Sequence, residues 1–416
     1  MKKKGKIILN LSALDYGGAG KFALDFHHLL LQGGYQSHMV VKESKTNETG
    51  ITQYNTTRFD NPIGKLSRKI RKISWAAKLL RYDYHFYNKY ERYSIASAKK
   101  IIKLLPATPD VILLYWVTDF INAKLIADLK QLTNAKIYWL LIDNAPLTGG
   151  CHYPWQCKGF EKDCSSCPAI NSLSHQWIAR KNMAFKLKHI PSDVGLITFS
   201  NTDYERSKRS TLFGNKQVIK WLAYVDDSRF KPGNKQSARS HFGVPDGKKI
   251  ILFGAHSISD KRKGMALLTE AITQLKDTNV HLLIAGTSSI MAESSPVTYT
   301  GYLSEYELII AYQAADMFVC PSLEDSGPIM INQSLMCGTP VVAFDTGVAQ
   351  DIVISYETGY RVLESTALGL ANGIDNLLAL DSEAMYAMSE RCRMLAVNSY
   401  SRHVAVNRLN NLIDNA

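Results

Sequence analysis

The chain has 416 residues, a formal net charge of +12, 46% hydrophobic residues and 21% charged residues. That length supports two or three domains with ample core, and those proportions exclude a disordered or collagen-like chain. No apolar run reaches the length of a transmembrane helix, and Met1 to Gly5 lead straight into a strand, so the expected compartment is the cytoplasm.

Residues 6–11 read as a buried strand and are followed by a turn with Gly17, Gly18 and Gly20. A helix over 22–31, closed by Gly33 and Gly34, and a strand over 37–42 complete a βαβ opening. Glycines there let the backbone approach a bound group, and a role in packing alone is equally open. The turn is not a P-loop: Asp15 stands where the leading Gly belongs, and Phe22 follows Lys21. Residues 64–105 carry 12 Lys or Arg against 2 Asp or Glu, which concentrates the basic excess in one place. Within it Ile63, Leu66, Ile70, Ile73, Ala77 and Leu80 share one face of an amphipathic basic helix. Tyr82, Tyr84, Phe86, Tyr87, Tyr90 and Tyr93 follow. The pattern fits docking on an anionic membrane, capture of a lipid-diphosphate acceptor, or a solvated helix packed on its domain. No recognition motif accompanies the charge, so nucleic acid is not an expected partner.

A strand over 136–142 ends at Asp143, whose other reading is a turn cap. Cys151, Cys157, Cys164 and Cys167 come next, with five, six and two residues between them. Structural zinc, reduced packing cysteines and disulfides all fit this spacing, and His152 is an alternative ligand. Four thiolates leave no open position on a metal, so such a zinc would be structural. Cys320, Cys337 and Cys392 are isolated and read as core or helix residues. Residues 194–200 read as the last strand of a first domain, and 225–233 as a linker.

The second half alternates again. A strand over 250–255 precedes Lys261, Arg262, Lys263 and Gly264, with a helix from Met265; a solvated basic loop is the plainer reading. A strand over 281–286 ends at Gly286, and Ser304 caps a helix over 305–314. Strands over 317–320 and 341–344 flank a helix with Pro328 at its first position, Ser326 or Gly327 as cap and Gly338 just past its end. A strand, turn and helix N-terminus make an anion site. Glu324 and Asp325 at its mouth add acceptors for hydroxyls, and a sugar diphosphate offers both groups.

Residues 321–344 resemble the donor site of retaining glycosyltransferases of family 4, which have the GT-B fold. The family places an acid eight residues before a glutamate and follows them with Cys-Gly-Thr-Pro-Val-Val; here Asp325 and Gln333 take the two positions, and Cys337 to Val342 match the close. The resemblance implies an α/β chain with two Rossmann-like domains facing across a cleft. The N-terminal domain would span 1–222, with a helix over 396–416 packing back on it, and the nucleotide-sugar domain 223–395. It implies that Asp325 contacts the donor sugar and Gln333 the ribose. Gly327, Ile329 and Met330 would meet the diphosphate at the helix start, with Lys263 and Arg262 neutralising it. Gly286, Tyr302 and Leu303 would lie near the base or ribose, and Gly17, Gly18 and Gly20 near the donor or acceptor. The catalytic candidates are thus Asp325, Glu324, Lys263 and Asp143.

Residues 148–153 and 164–168 resemble the capsule and colanic-acid branch of that family. Departures are plain: Ala255 stands for an Arg, Ile142 and Tyr115 for two histidines, and Gln333 for Glu. The resemblance implies transfer of a sugar, with retention, from a nucleotide sugar to a glycan or polyprenyl-diphosphate-linked acceptor in bacterial surface-polysaccharide synthesis. No cofactor would serve catalysis, and residues 63–93 would associate with the inner face of the cell membrane. A catalytically degenerate binding subunit and a GT-B sugar-nucleotide epimerase are the alternatives.

Overall fold

Short apolar runs alternating with helices favour parallel strands, because each helical crossover returns the chain to start in the same direction. A computed structural model describes residues 5–46, 48–55, 79–287 and 296–414. The chain opens with β1 (Ile7–Leu14), α1 (Gly17–Gln32), β2 (Gln36–Glu43) and β3 (Ile51–Gln53). It continues through α2 (Ala98–Ile102), β4 (Val111–Leu114), α3 (Ala123–Thr133) and β5 (Lys136–Leu140). Then come α4 (Trp177–His189), β6 (Gly195–Thr198), α5 (Asn201–Arg209) and β7 (Val218–Lys220).

The second run holds α6 (Lys235–Phe242), β8 (Lys249–Ser257), α7 (Met265–Ile272), β9 (Val280–Thr287) and β10 (Val297–Gly301). It goes on with α8 (Glu305–Ala314), β11 (Met317–Cys320), α9 (Ile329–Met336), β12 (Val341–Phe344) and α10 (Ala349–Ile352). β13 (Gly359–Val362), α11 (Ala367–Leu378), α12 (Ser382–Tyr400) and α13 (Arg402–Asp414) complete it.

Among the described residues two sheets form, ordered β3-β2-β1-β4-β5-β6-β7 and β10-β9-β8-β11-β12-β13. Every pairing is parallel. Both follow the doubly wound order, which reverses direction at β1/β4 and at β8/β11. Helices cover both faces of such a sheet, so its central strands are buried throughout, as Val111 to Leu114 are.

Contacts divide the chain into two units. Unit 1 is Met1–Phe199, Asp203–Trp221 and Val406–Ala416; unit 2 is Ser200–Thr202 and Leu222–Ala405. Each has its own apolar core. In unit 1, Tyr35 donates to Asn410 at 2.7 Å and Lys6 to the Ile413 carbonyl at 2.7 Å, which fastens the end of α13. In unit 2, Arg393 on α12 donates to the carbonyls of Phe230 and Met336, both at 2.7 Å. Arg402 meets both oxygens of Asp226 at 3.0 and 2.9 Å. Burial would raise the Asp226 carboxyl, but Ser228 and Arg402 outweigh it and hold it at about 2.

Several expectations shift. β6 is not the last strand of its sheet, since β7 pairs beyond it. The glycine turn is not a free loop before a helix; Gly17 already opens α1, with Tyr16 as N-cap. Pro328 is the N-cap of α9 rather than its first residue, and no side chain caps that helix. The expected basic helix lies mostly on residues 56–78, outside the described residues. Its last residue, Leu80, bridges to Ile170. The aromatic cluster splits: Tyr84 and Phe86 are buried, whereas Tyr82, Tyr87 and Tyr93 are exposed. Among the described residues no helix is long and apolar enough to cross a membrane.

Candidate functional site

In a doubly wound sheet, loops leaving adjacent strands part in opposite directions at the reversal and leave a crevice beyond the carboxyl ends of the strands. In unit 2 those loops follow β8 and β11, and they carry Lys263 and Asp325. The first loop is built around Asp260, which accepts from the Arg262 amide at 3.0 Å and from its guanidinium at 2.7 Å. Arg262 is buried; its other terminal nitrogen donates to the Glu324 carbonyl at 3.1 Å, and its own carbonyl accepts from Leu323 at 2.7 Å. Arg262 therefore braces the two loops against each other.

Gly264 sits at φ +72°, and a Cβ there would lie 1.9 Å from the Pro321 carbonyl oxygen, so only glycine lets the loops close. This contact brings the Lys263 ammonium onto Asp325, and the two form an ion pair. Asp325 is buried, which alone would raise its carboxyl; Lys263 and Arg262 outweigh that and lower it. Its neighbour Glu324 is buried as well. Two residues on, the Gly327 amide points at the same carboxylate from 3.4 Å. Ile329 and Met330 then start α9, whose first turn has no side-chain cap. Gln333, one turn further, accepts from the Tyr312 hydroxyl at 3.1 Å.

The remaining unit 2 candidates divide. Gly286 packs, since a Cβ there would lie 2.1 Å from the Ala255 carbonyl oxygen. Tyr302 is 63% exposed and stacks edge-on against His256 at 5.8 Å, and Leu303 packs on the core. His256 escaped sequence reasoning; it stands on β8 one residue after Ala255, where the strand runs two residues longer than its apolar stretch.

Unit 1 has its own reversal between β1 and β4. A Cβ at Gly17 or Gly18 would meet nothing within 4 Å, while one at Gly20 would lie 2.7 Å from the Asp15 backbone. Gly20 thus packs, and Gly17 and Gly18 leave the turn open. Asp143, just past β5, accepts from the Ala145 amide at 2.8 Å, which is its turn-capping role. Its other oxygen lies 2.7 Å from Nδ1 of buried His152. The Trp116 indole is 3.3 Å from that nitrogen, and Thr118 and Asn88 face Nε2 at 3.5 and 3.4 Å. A small cavity of about 20 Å³ opens beside Asp143, Trp116, Thr118 and Glu91. The sequence offered two missing histidines here; the structure supplies His152 to Asp143 from nine residues further on.

Cys151, Cys157, Cys164 and Cys167 line one cavity of about 10 Å³ in the same unit, and all are free thiols. Burial pushes Cys164 up to about 11 and Cys167 up to about 12. As they stand, no three His, Cys, Asp or Glu side chains among the described residues close around a metal ion. His152 is engaged by Asp143 and is not part of that cavity's lining.

Residues 234–395 match the family model described as "Glycosyl transferases group 1". The chain is similar to the putative colanic acid biosynthesis glycosyl transferase WcaC of Escherichia coli K12, 23% identical over 378 residues, covering 86% of this chain and 87% of that protein. Its fold is similar to sucrose-phosphate synthase from Thermosynechococcus elongatus, with TM-score 0.69, 17% identity, and coverage of 99% of this chain and 98% of that one. It is also similar to Anabaena HepE, solved in complex with UDP-glucose, with TM-score 0.66, 13% identity, and coverage of 99% and 100%. The chain has the GT-B fold, two parallel-sheet Rossmann-like domains, and its residues 234–395 match the glycosyl transferases group 1.

Proposed function

We propose that the protein is a retaining glycosyltransferase that moves a sugar from a nucleoside-diphosphate sugar to a glycan or lipid-linked acceptor in surface-polysaccharide synthesis. One observation carries this reading: Lys263 and Asp325 meet at the β8/β11 reversal, beside the uncapped start of α9. A leaving diphosphate needs positive charge and amide donors, and that corner offers both. Donor binding would draw Lys263 from Asp325 onto the diphosphate and leave the carboxylate to accept from sugar hydroxyls. Gln333 would hydrogen-bond the ribose, with Tyr302 and His256 near the base. Arg262 acts as a positioning residue, and so does Asp143, whose carboxylate serves Ala145 and His152. In this mechanism the acceptor attacks from the face the diphosphate leaves. A diphosphate oxygen takes the acceptor proton, so no separate base and no divalent metal are needed.

The test is calorimetric binding of UDP-, GDP-, ADP- and TDP-sugars, each beside its free nucleoside diphosphate. One nucleotide sugar binds, Asp325→Ala weakens it, and the free diphosphate is held as before. No binding across the panel by a folded protein rejects the enzyme and leaves the non-catalytic subunit. On the acceptor side, exposed Tyr82 lies within the basic stretch, and exposed Leu173 follows Ile170 and Asn171, which bond to Leu80 and Leu79 of that stretch. They support contact with an anionic bilayer: the protein co-sediments with phosphatidylglycerol vesicles at low salt and is released at high salt. Equal sedimentation with neutral vesicles would count against it.

A further inference from the structure

Residues 151–170 form a long segment whose regular structure is one three-residue turn, Gly159–Glu161. Yet Phe160, Ala169 and Ile170 within it are buried in the unit 1 core. Its backbone is also unusual: Trp155 and Cys164 stand at φ +52° and +56°, in a region that non-glycine residues rarely adopt. An irregular segment of this length inside a packed domain needs something to hold it.

We propose that Cys151, Cys157, Cys164 and Cys167 hold a zinc ion that fastens this segment to unit 1. The four thiols line one cavity. Its other walls include Tyr84, Phe86, Pro154 and Phe160, and no carboxylate or imidazole lines it. An all-sulfur donor set in an apolar shell selects zinc over magnesium or calcium.

A backbone amide already points at one of the sulfurs. Gly159 donates to Cys157 Sγ at 3.3 Å. Such N–H···S bonds serve a thiolate far better than a neutral thiol, because the acceptor carries the charge. Closing the set takes rotation of side chains within a cavity they already share; four protons leave to water as four Zn–S bonds form. The ion would be structural, since four thiolates fill its coordination.

The full chain, purified without chelator from zinc-supplemented cells, is expected to carry about one zinc per chain by elemental mass spectrometry. Exchange for Co²⁺ should give thiolate-to-metal charge-transfer bands and the visible bands of a tetrahedral thiolate site. This measurement uses the unaltered protein and is independent of transferase activity. Cys164→Ser and Cys167→Ser should lose the metal, and Cys392→Ser, in the unit 2 core, should keep it. Absence of stoichiometric metal, a Co²⁺ spectrum without thiolate bands, or a disulfide within the four detected by mass would each overturn the proposal.

Discussion

Replacing Lys263 with alanine is expected to lower kcat by on the order of 10²–10³, the usual cost of removing one group that stabilises a developing anion. The substitution also leaves Asp325 buried beside Arg262 alone. Nucleotide-sugar and free-diphosphate binding should both weaken, in contrast to Asp325→Ala, which spares the diphosphate. The melting temperature separates a site defect from a folding defect, and Lys263→Arg should recover part of the rate by restoring the charge. Because the Asp325 carboxyl is lowered in the folded protein, the ion pair's stabilisation is complete above the ordinary carboxylate range and disappears as pH falls through the lowered value. A loss of binding between pH 6 and 8 therefore has its origin elsewhere. Unchanged turnover in a folded Lys263→Ala protein would remove Lys263 from the mechanism.

Lys186→Met should destabilise unit 1 by about 3–5 kcal/mol, the cost of leaving a buried charge without its partner. Lys186 is 1% exposed on α4 and donates to the carbonyls of Ala145 and Thr148 at 2.6 and 2.9 Å. Its ammonium lies 3.7 Å from Glu91, which is buried too and accepts from the Ala123 amide at 3.2 Å. One lysine thus secures the turn that carries Asp143. A fall in Tm of roughly 10 °C is expected on the scale of a domain this size. Combining Lys186→Met with Glu91→Gln should return part of it, because the orphaned charge goes too. Additive losses in that double variant would show that the two side chains act independently.

The fold was largely legible because parallel strands buried on both faces advertise themselves as apolar runs; 317–320 and 341–344 were placed to the residue. The strands β3 and β7 were not, since three partly exposed residues at a sheet edge leave no such run. The start of α1 was hidden by its own composition: glycines are poor helix formers, and Gly17 to Gly20 look like a loop. At the site, the sequence names Lys263 and Asp325 but not their pairing, which depends on two loops brought together over Gly264. His152 reads from its neighbours as an alternative metal ligand, whereas a nine-residue chain reversal delivers it to Asp143. Contacts of that kind depend on loop geometry, and residue spacing carries little of it.

The division of the chain bears on its synthesis. Unit 2 is nearly continuous, from Leu222 to Ala405, but unit 1 takes in Val406–Ala416. A ribosome delivers residues in order, so the strands from β1 to β7 emerge long before Leu409 and Ile413, which are buried in α13. Unit 1 must wait, its last helix missing, while the whole of unit 2 is made. The half that is translated first is therefore the half that finishes folding last.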